Sequence, residues 1–155
     1  MAKIFCIANQ KGGVGKTTTA VNLAAGLVGH GQRVLLVDLD PQGNATMGSG
    51  VEKAELNLSV YQVLIGAASI KEATQRCDSS AYDLLPANRD LAGAEIELVD
   101  LEERESRLKN ALSLVAGDYD FVLIDCPPAL SLLTLNGLCA ANGVIVPMQC
   151  EYFAL

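Results

Sequence analysis

The chain has 155 residues, of which half are hydrophobic, and it carries a formal net charge of −7. This length suits one domain and is too short for two, so we expect residues 1–155 to form a single domain. The hydrophobic content excludes a disordered chain, and the acidic balance argues against strong nucleic-acid binding by these residues alone, because that affinity comes from clustered Lys and Arg.

The N-terminal apolar run is too short for a signal peptide or a transmembrane span, so we expect a cytoplasmic protein without a membrane partner. Five cysteines are scattered through the chain, and no two have the C-x-x-C spacing. Most lie in apolar runs, which favours reduced core residues over disulfides or metal ligands. Cys126 follows a candidate acidic site residue, but packing at the end of a strand is its simpler interpretation.

Short apolar runs bounded by polar residues or glycine predict strands that are buried on both faces. They lie at 3–8, 34–37, 121–124 and 143–147. Helical patterns lie between them, and strand–helix–strand repeats are typical of parallel βαβ units. The predicted fold is therefore α/β with a doubly wound, mostly parallel sheet.

The first helix is predicted from Thr17 to about His30, with its apolar stripe at Val21, Ala24, Ala25 and Val28. The region from 43 to 88 is less periodic. It predicts short helices near Ser59–Leu64 and Ser69–Gln75 and a strand at Tyr82–Leu85. From 90 to 115, charged residues flank regularly spaced leucines, which predicts one or two amphipathic helices whose charged face is solvated.

The most informative segment is NQKGGVGKTT at positions 9–18, between the first strand and the first helix. Three glycines let successive N–H groups converge on one anion, and the helix that follows adds its positive dipole end. In such a phosphate-binding loop, Lys16 reaches the β- and γ-phosphates and Thr17 ligates Mg²⁺. The usual motif has glycine where this chain has Gln10, and Lys11 follows as a second lysine. The alternative is a glycine-rich turn with two solvated lysines.

Acidic residues directly follow two of the predicted strands. Asp38 and Asp40 follow the second strand, and Asp125 follows the apolar run at 121–124. In open parallel sheets, ligands bind beyond the carboxyl ends of the strands. Asp38 and Asp40 are expected to share one face and to point toward the loop, although Asp38 could serve only to stabilise it. Asp125 suits a Walker B acid that holds Mg²⁺ directly or through water.

Four segments together resemble the ParA/Soj family of chromosome- and plasmid-partitioning ATPases, whose P-loop carries a deviant Walker A motif. They are KGGVGKTT at 11–18, DLDPQGN at 38–44, IDCPP at 124–128 and CEYFAL at 150–155. The resemblance implies a cytoplasmic, nucleoid-associated ATPase that forms a homodimer around two ATP molecules. It also implies non-specific DNA binding by the dimer and stimulation of hydrolysis by a ParB-like partner.

The resemblance also implies roles for individual residues. Lys11 is similar to the lysine that crosses the dimer interface to the partner's phosphates, and Lys16 to the phosphate-loop lysine. Asp40 resembles the residue that orients the attacking water, and with Thr17 and Asp125 it is a candidate for the Mg²⁺ site. Catalytic roles thus fall to Lys11, Lys16 and Asp40, although Lys11 could also be a solvated loop lysine. The expected ATP contacts are Lys11, Gly12, Gly13, Val14, Gly15, Lys16, Thr17 and Thr18.

Members of this family normally continue beyond the CEYFAL segment, so the chain is expected to be the amino-terminal portion of such a protein, with weak DNA affinity of its own. One alternative is a cell-division-site ATPase of the MinD type, which tends to lack DPQGN after the second strand. A nitrogenase iron protein would need cluster cysteines, and neither Cys126 nor Cys139 is flanked like one. A module that binds nucleotide without hydrolysing it is a further alternative.

Overall fold

The computed structural model describes residues 1–8, 15–77 and 81–148. Within them, six strands form one sheet: Lys3–Ile7 (β1), Val34–Asp38 (β2), Gln75–Arg76 (β3), Asp83–Leu85 (β4), Phe121–Asp125 (β5) and Gly143–Ile145 (β6). The α-helices of these residues are Lys16–Gly29 (α1), Asn44–Gly48 (α2), Val60–Leu64 (α3), Ile70–Ala73 (α4), Leu91–Glu97 (α5), Arg107–Ser113 (α6) and Leu132–Ala140 (α7). Short 3₁₀ segments lie at Lys53–Glu55, Leu98–Asp100 and Ala116–Asp118.

The strand order is β3-β4-β2-β5-β1-β6, and every neighbouring pair is parallel except β3 with β4. This arrangement confirms the predicted α/β class with a mostly parallel sheet. Ile7 of β1 and Asp38 of β2 both stand in register with Asp125 of β5. Three strands therefore end level with one another, and the loops that follow them leave from one edge of the sheet.

Side chains alternate between two hydrophobic clusters, one on each face of the sheet. Along β2, Leu35 and Val37 enter the cluster that helices α3, α5, α6 and α7 cover. Val34 and Leu36 enter the opposite cluster, under α1 and α2. Every residue of β2 is buried, as predicted for a strand covered on both faces.

The edge strand β6 differs from the prediction. The run at 143–147 predicts a strand buried on both faces, but Val144 is half exposed. The reason is its position, because β6 pairs with β1 on one side and no strand of the described residues pairs with its other side. The apolar pattern predicts that a strand forms, but the position of that strand in the sheet determines how far it is buried.

Two further predictions need correction. On α1 the buried positions are Lys16, Ala20 and Ala24, whereas Ala25 is exposed. The helix predicted to reach Gln75 ends at Ala73, because Gln75 joins the antiparallel edge strand β3, which the sequence did not predict. The short helices α3 and α4 start where expected, each behind a serine capping box.

The cysteine prediction holds for three positions and fails at one. Cys6, Cys77 and Cys126 are buried, but Cys139 is exposed on α7. Cys150 lies outside the described residues. In the described part of the chain, no helix is both long enough and apolar enough to cross a bilayer.

Candidate functional site

Helix α1 starts at the edge of the sheet where β1, β2 and β5 end. Its N-cap, Gly15, has φ +78°, a conformation that glycine adopts without strain, and its carbonyl accepts the first helical hydrogen bond, from Thr19 N, at 2.8 Å. Lys16 and Thr17 are therefore the first two residues of the helix. They lie next to the carboxyl ends of β1 and β5, where Ile7 pairs with Asp125.

The central contact is an ion pair between Lys16 and Asp125. Lys16 Nζ donates to Asp125 Oδ1 at 2.5 Å, and Thr17 Oγ1 donates to Asp125 Oδ2 at 3.1 Å. Asp125 is fully buried and Lys16 is 9% exposed. Burial raises the pKa of the Asp125 carboxyl, whereas the Lys16 charge and the two hydrogen bonds act against that rise. The carboxylate thus depends on a neighbouring cation to stay ionised.

Asp40 is the second acid near the lysine. Its Oδ2 atom lies 3.9 Å from Lys16 Nζ, and its Oδ1 atom accepts from Gln42 N at 3.0 Å. Its carbonyl accepts from Gly43 N at 2.8 Å, so residues 40–43 form a tight turn. Gly43 itself has φ +68°, a value that explains glycine at this position. The turn directs the Asp40 carboxylate toward Lys16.

Asp38 does not point at the lysine, so the expectation that both acids face the loop is correct only for Asp40. Asp38 Oδ1 accepts from Asp40 N at 3.0 Å, and Oδ2 accepts from Thr46 N at 2.9 Å and from Thr46 Oγ1 at 2.7 Å. Burial raises the pKa of the Asp38 carboxyl to about 7, and Asp125 adds to the rise, whereas these hydrogen bonds oppose it. These contacts favour a structural role for Asp38, within the segment that follows β2.

Thr46 is the residue that sequence reasoning missed. Its hydroxyl donates to Asp38 and accepts from Ala87 N at 2.9 Å, so it connects α2 to the chain just beyond β4. Thr46 is fully buried. The only signal in the sequence was a threonine two residues after the DPQGN segment, which is too common a pattern to indicate a partner 41 residues away.

Two cysteines lie near the carboxyl ends of β1 and β5. The Sγ atoms of Cys6 and Cys126 are 2.9 Å apart, and both residues are fully buried. The contact with Cys6 and burial together raise the pKa of the Cys126 thiol well above its ordinary value. Gly137 of α7 packs on Cys126, because a Cβ atom there would lie 2.6 Å from Cys126 Sγ.

The structure brings together four predicted site residues, namely Lys16, Thr17, Asp40 and Asp125. Gly15 caps the helix, and Thr18 is exposed on its first turn. The predicted positions Lys11, Gly12, Gly13 and Val14 lie outside the described residues. The described part of the chain contains no cluster of three His, Cys, Asp or Glu side chains arranged to hold a metal ion.

The cluster has a chemistry that suits phosphate and a hard cation. Lys16 supplies a positive charge at the start of a helix, where N–H groups and the helix dipole already favour anions. Thr17 and Asp125 supply a hydroxyl and a carboxylate oxygen within 3.1 Å of each other, and oxygen ligands are those that Mg²⁺ prefers. The donor set therefore fits a magnesium–phosphate ligand.

The family model described as AAA domain matches residues 2–155 of the chain. The sporulation initiation inhibitor protein Soj of Bacillus subtilis is 55% identical over 155 residues, which are all of this chain and 61% of that protein. The chromosome partitioning protein ParA of Myxococcus xanthus is 50% identical over all of this chain and 55% of its own length.

Among solved structures, the cobyrinic acid a,c-diamide synthase from Mycobacterium smegmatis with bound ADP and magnesium matches with a TM-score of 0.96. It is 52% identical over all of this chain and 63% of its own. The chain thus spans between 55% and 63% of these three relatives.

Proposed function

We infer the function of this chain from its family, because it belongs to the AAA-domain family and, within it, to the ParA/Soj partitioning ATPases. We propose that residues 1–155 are the ATPase domain of a partitioning protein, and that this domain binds ATP with Mg²⁺ and hydrolyses it. The observation that carries the proposal is the buried contact of Lys16 and Thr17 with Asp125 at the start of α1.

In this proposal, the loop at 11–18 surrounds the phosphates and Lys16 exchanges its contact with Asp125 for one with the β- and γ-phosphates. Thr17 and Asp125 then hold the cation, which neutralises charge on the phosphates when bound. The exchange of partners by Lys16 is favourable because phosphate oxygens accept charge-assisted hydrogen bonds in place of the carboxylate. The buried Lys16–Asp125 contact thus holds both side chains in place before the ligand arrives.

The hydrolytic role goes to Asp40, which we propose orients the attacking water. Phosphoryl transfer passes through a loose transition state, so positioning and charge neutralisation matter more than a strong base. The location of Asp40, 3.9 Å from Lys16 and fixed by the turn at 40–43, supports this role. Asp38 contributes indirectly by accepting the hydrogen bond of Asp40 N.

For the whole protein, we propose a homodimer that forms on ATP, with Lys11 reaching the partner's phosphates. We also propose non-specific DNA binding by that dimer and activation by a ParB-like protein, as in chromosome or plasmid partitioning. The relatives named for chromosome partitioning, ParA of Myxococcus xanthus and Soj of Treponema pallidum, support the partitioning role. The net charge of −7 supports weak DNA affinity for these 155 residues alone.

The central test measures MgATP affinity by calorimetry and phosphate release by the same 155-residue protein. We expect Lys16→Ala to weaken MgATP binding by at least ~10- to 100-fold, the range for losing one charge-assisted contact. Lys71→Ala is the matched control, because Lys71 is an exposed lysine of the short helix α4. Unchanged affinity in Lys16→Ala would refute the phosphate-loop role.

Two further variants separate the parts of the proposal. In the complete protein, Asp40→Ala should retain MgATP binding and lose phosphate release, whereas Lys11→Ala should retain binding and lose dimerisation on ATP in sedimentation experiments. Binding without any phosphate release by the parent protein would instead favour a nucleotide-binding module. A Lys11→Ala protein that still dimerises would exclude the crossing role.

A second candidate function follows from the structural comparison. The matched Mycobacterium smegmatis structure is called a cobyrinic acid a,c-diamide synthase and is as similar to this chain as the partitioning relatives are. A phosphate loop with a magnesium site serves either function. Partitioning is favoured because relatives named for it come from several organisms at 48–52% identity. An assay for diamide formation from cobyrinic acid with MgATP tests the alternative directly.

A further inference from the structure

The contact between Cys6 and Cys126 has no part in the proposed ATPase chemistry. Cys6 lies in β1, and Cys126 directly follows the last residue of β5. Their Sγ atoms are 2.9 Å apart, and an S–S bond is about 2.0 Å long, so a movement of about 0.9 Å would join them. Both residues are fully buried and reduced.

We propose that Cys6 and Cys126 are an oxidation site that forms a reversible intramolecular disulfide, and that this disulfide weakens nucleotide binding. The first part stands apart from the proposed function. The second part rests on it, because it assumes that Lys16 and Asp125 bind the nucleotide.

The surroundings hold the two sulfur atoms together. Gly137 of α7 leaves room for Cys126 Sγ, and even one added methyl group would come within 2.6 Å of it. The sulfur is therefore enclosed between α7 and Cys6, with little space in which to move away. Cys126 N also donates to Ile7 O at 3.1 Å, which fixes the backbone next to the pair. Such confinement favours bond formation, because the two reacting atoms are held close together.

The register explains why the bond would affect the nucleotide site. Cys6 stands opposite Ile124, so Cys126 lies two residues beyond the partner of Cys6 and the pair is diagonal across the two strands. Closing the remaining gap draws the carboxyl ends of β1 and β5 toward each other. These ends carry the phosphate loop and Asp125, which holds Lys16 at 2.5 Å. A small displacement there acts directly on the proposed ligands.

A small oxidant can approach the pair from a neighbouring cleft. An open cleft of about 330 Å³ is lined in part by Ala8, Pro127, Thr134 and Leu138. Ala8 is two residues from Cys6, Pro127 adjoins Cys126, and the other two flank Gly137 on α7. Neither cysteine lines the cleft and both are fully buried, so an oxidant reaches the sulfur atoms when the packing between them and the cleft opens. The size of the cleft admits hydrogen peroxide, which we name as the oxidant.

The chemistry balances with one peroxide for each disulfide. One thiol loses its proton, and its thiolate attacks peroxide, so that the O–O bond breaks and a sulfenic acid forms. The hydroxide released takes up that proton and leaves as water. The second sulfur attacks the sulfenic sulfur, the S–S bond forms and hydroxide leaves as a second water with the thiol proton. Two thiols lose two electrons, and peroxide gains them. A dithiol such as dithiothreitol reverses the reaction by thiol–disulfide exchange.

The experiment uses the 155-residue protein with Cys139→Ser and Cys150→Ser, so that Cys77 is the only other cysteine. After treatment with hydrogen peroxide, non-reducing peptide mapping should find the Cys6 peptide joined to the Cys126 peptide, and dithiothreitol should separate them. Adding Cys77→Ala should change nothing, whereas adding Cys6→Ala should abolish the link. Absence of the link in the parent, or a link through Cys77, would overturn the proposed oxidation site.

Calorimetry with MgATP on the same samples tests the second part. We expect the oxidised protein to bind roughly tenfold more weakly than the reduced protein, because displacements near 1 Å at a site cost factors of ten or more. Cys6→Ala should bind equally well before and after peroxide. A mapped disulfide with unchanged affinity would overturn the coupling. No binding by the reduced protein would refute the proposed function and the coupling, while the mapped link would still establish the oxidation site.

Discussion

Asp38 and Asp125 stand opposite each other at the ends of adjacent strands, and both are fully buried, yet their surroundings differ. Asp125 accepts from a lysine and a threonine hydroxyl at the start of α1. Asp38 accepts from two backbone N–H groups and one hydroxyl within its own loop. A mobile cation can exchange partners with a ligand, whereas backbone donors cannot. Partner type, more than burial, therefore separates the carboxylate that we propose binds a ligand from the structural one.

The largest effect is expected when Asp125 loses the cation that contacts it. Lys16→Met leaves a buried carboxylate without its cation, so the free energy of unfolding at pH 7 should fall by about 3–5 kcal/mol. Denaturant unfolding measures the loss. Adding Asp125→Asn to Lys16→Met should recover most of it, because the unpaired charge is then gone. If Lys16→Met alone were as stable as the parent, the Lys16–Asp125 pair would contribute nothing to the free energy of unfolding.

The loss in Lys16→Met should also depend on pH. Without the lysine the folded-state pKa of Asp125 lies well above its unfolded value, so near pH 4 the carboxyl is protonated in the folded state and about half protonated in the unfolded state, and most of the charge penalty disappears there. Unfolding of the variant and the parent at pH 4 and pH 7 gives this difference. A loss of equal size at both pH values would assign the effect to packing.

The next effect concerns the pKa of Asp38, raised to about 7 by burial. Between the unfolded pKa near 4 and about 7, the folded state holds a proton that the unfolded state has lost. This group therefore lowers stability as the pH rises through that window, by up to ~1.4 kcal/mol per pH unit. Denaturant unfolding at several pH values measures this effect. The free energy of unfolding of Asp38→Asn should lack this fall with pH, and parallel curves of unfolding free energy against pH for parent and variant would contradict the prediction.

A smaller effect is expected at Thr46, which supports Asp38. Thr46→Val removes the hydroxyl bond to Asp38 and leaves Ala87 N without that acceptor, so we expect a loss of about 1–3 kcal/mol. Thr74→Val is the matched control, because among the described residues the Thr74 hydroxyl donates only to the carbonyl of Ile70, in the helix that Thr74 caps. Equal losses in the two variants would remove the special role of Thr46.

The smallest effect on stability should come from Thr17, which is half-buried. Thr17→Val loses one hydrogen bond to Asp125, worth about 0.5–1.5 kcal/mol. Its effect on ligand binding should be the larger one, because the proposed Mg²⁺ ligand is lost. Calorimetry with ATP in the presence and absence of Mg²⁺ should show that the variant gains little from the cation.

Much of the fold could be predicted from the sequence because strong local patterns produce it. The runs at 34–37 and 121–124 are apolar on both faces, and such strands belong in the middle of a covered sheet. Position in the sheet is not a local property. The exposure of Val144 and the edge strand at Gln75–Arg76 follow from which strands lie beside them, and no window of sequence contains that information.

The candidate site also has residues that could be predicted from the sequence and residues that could not. Lys16, Thr17, Asp40 and Asp125 could be selected because each follows a predicted strand or loop and carries the charge or oxygen that phosphate chemistry needs. The orientation of Asp38 and the role of Thr46 could not, since both depend on hydrogen bonds closed through a third segment near Ala87. The burial of Ala20 in place of Ala25 likewise depends on the direction in which α1 crosses the sheet.

The place of β5 in the sheet has a consequence for how the protein folds. β5 separates β1 from β2, although it follows both in the chain, and Lys16 meets Asp125 across 109 residues. Long-range pairing of this kind slows folding, because loop-closure entropy is lost before contacts form. On the ribosome, the first two strands must therefore wait for residues 121–125 to emerge. The nascent chain accordingly cannot complete the proposed phosphate site until most of these 155 residues have been synthesised.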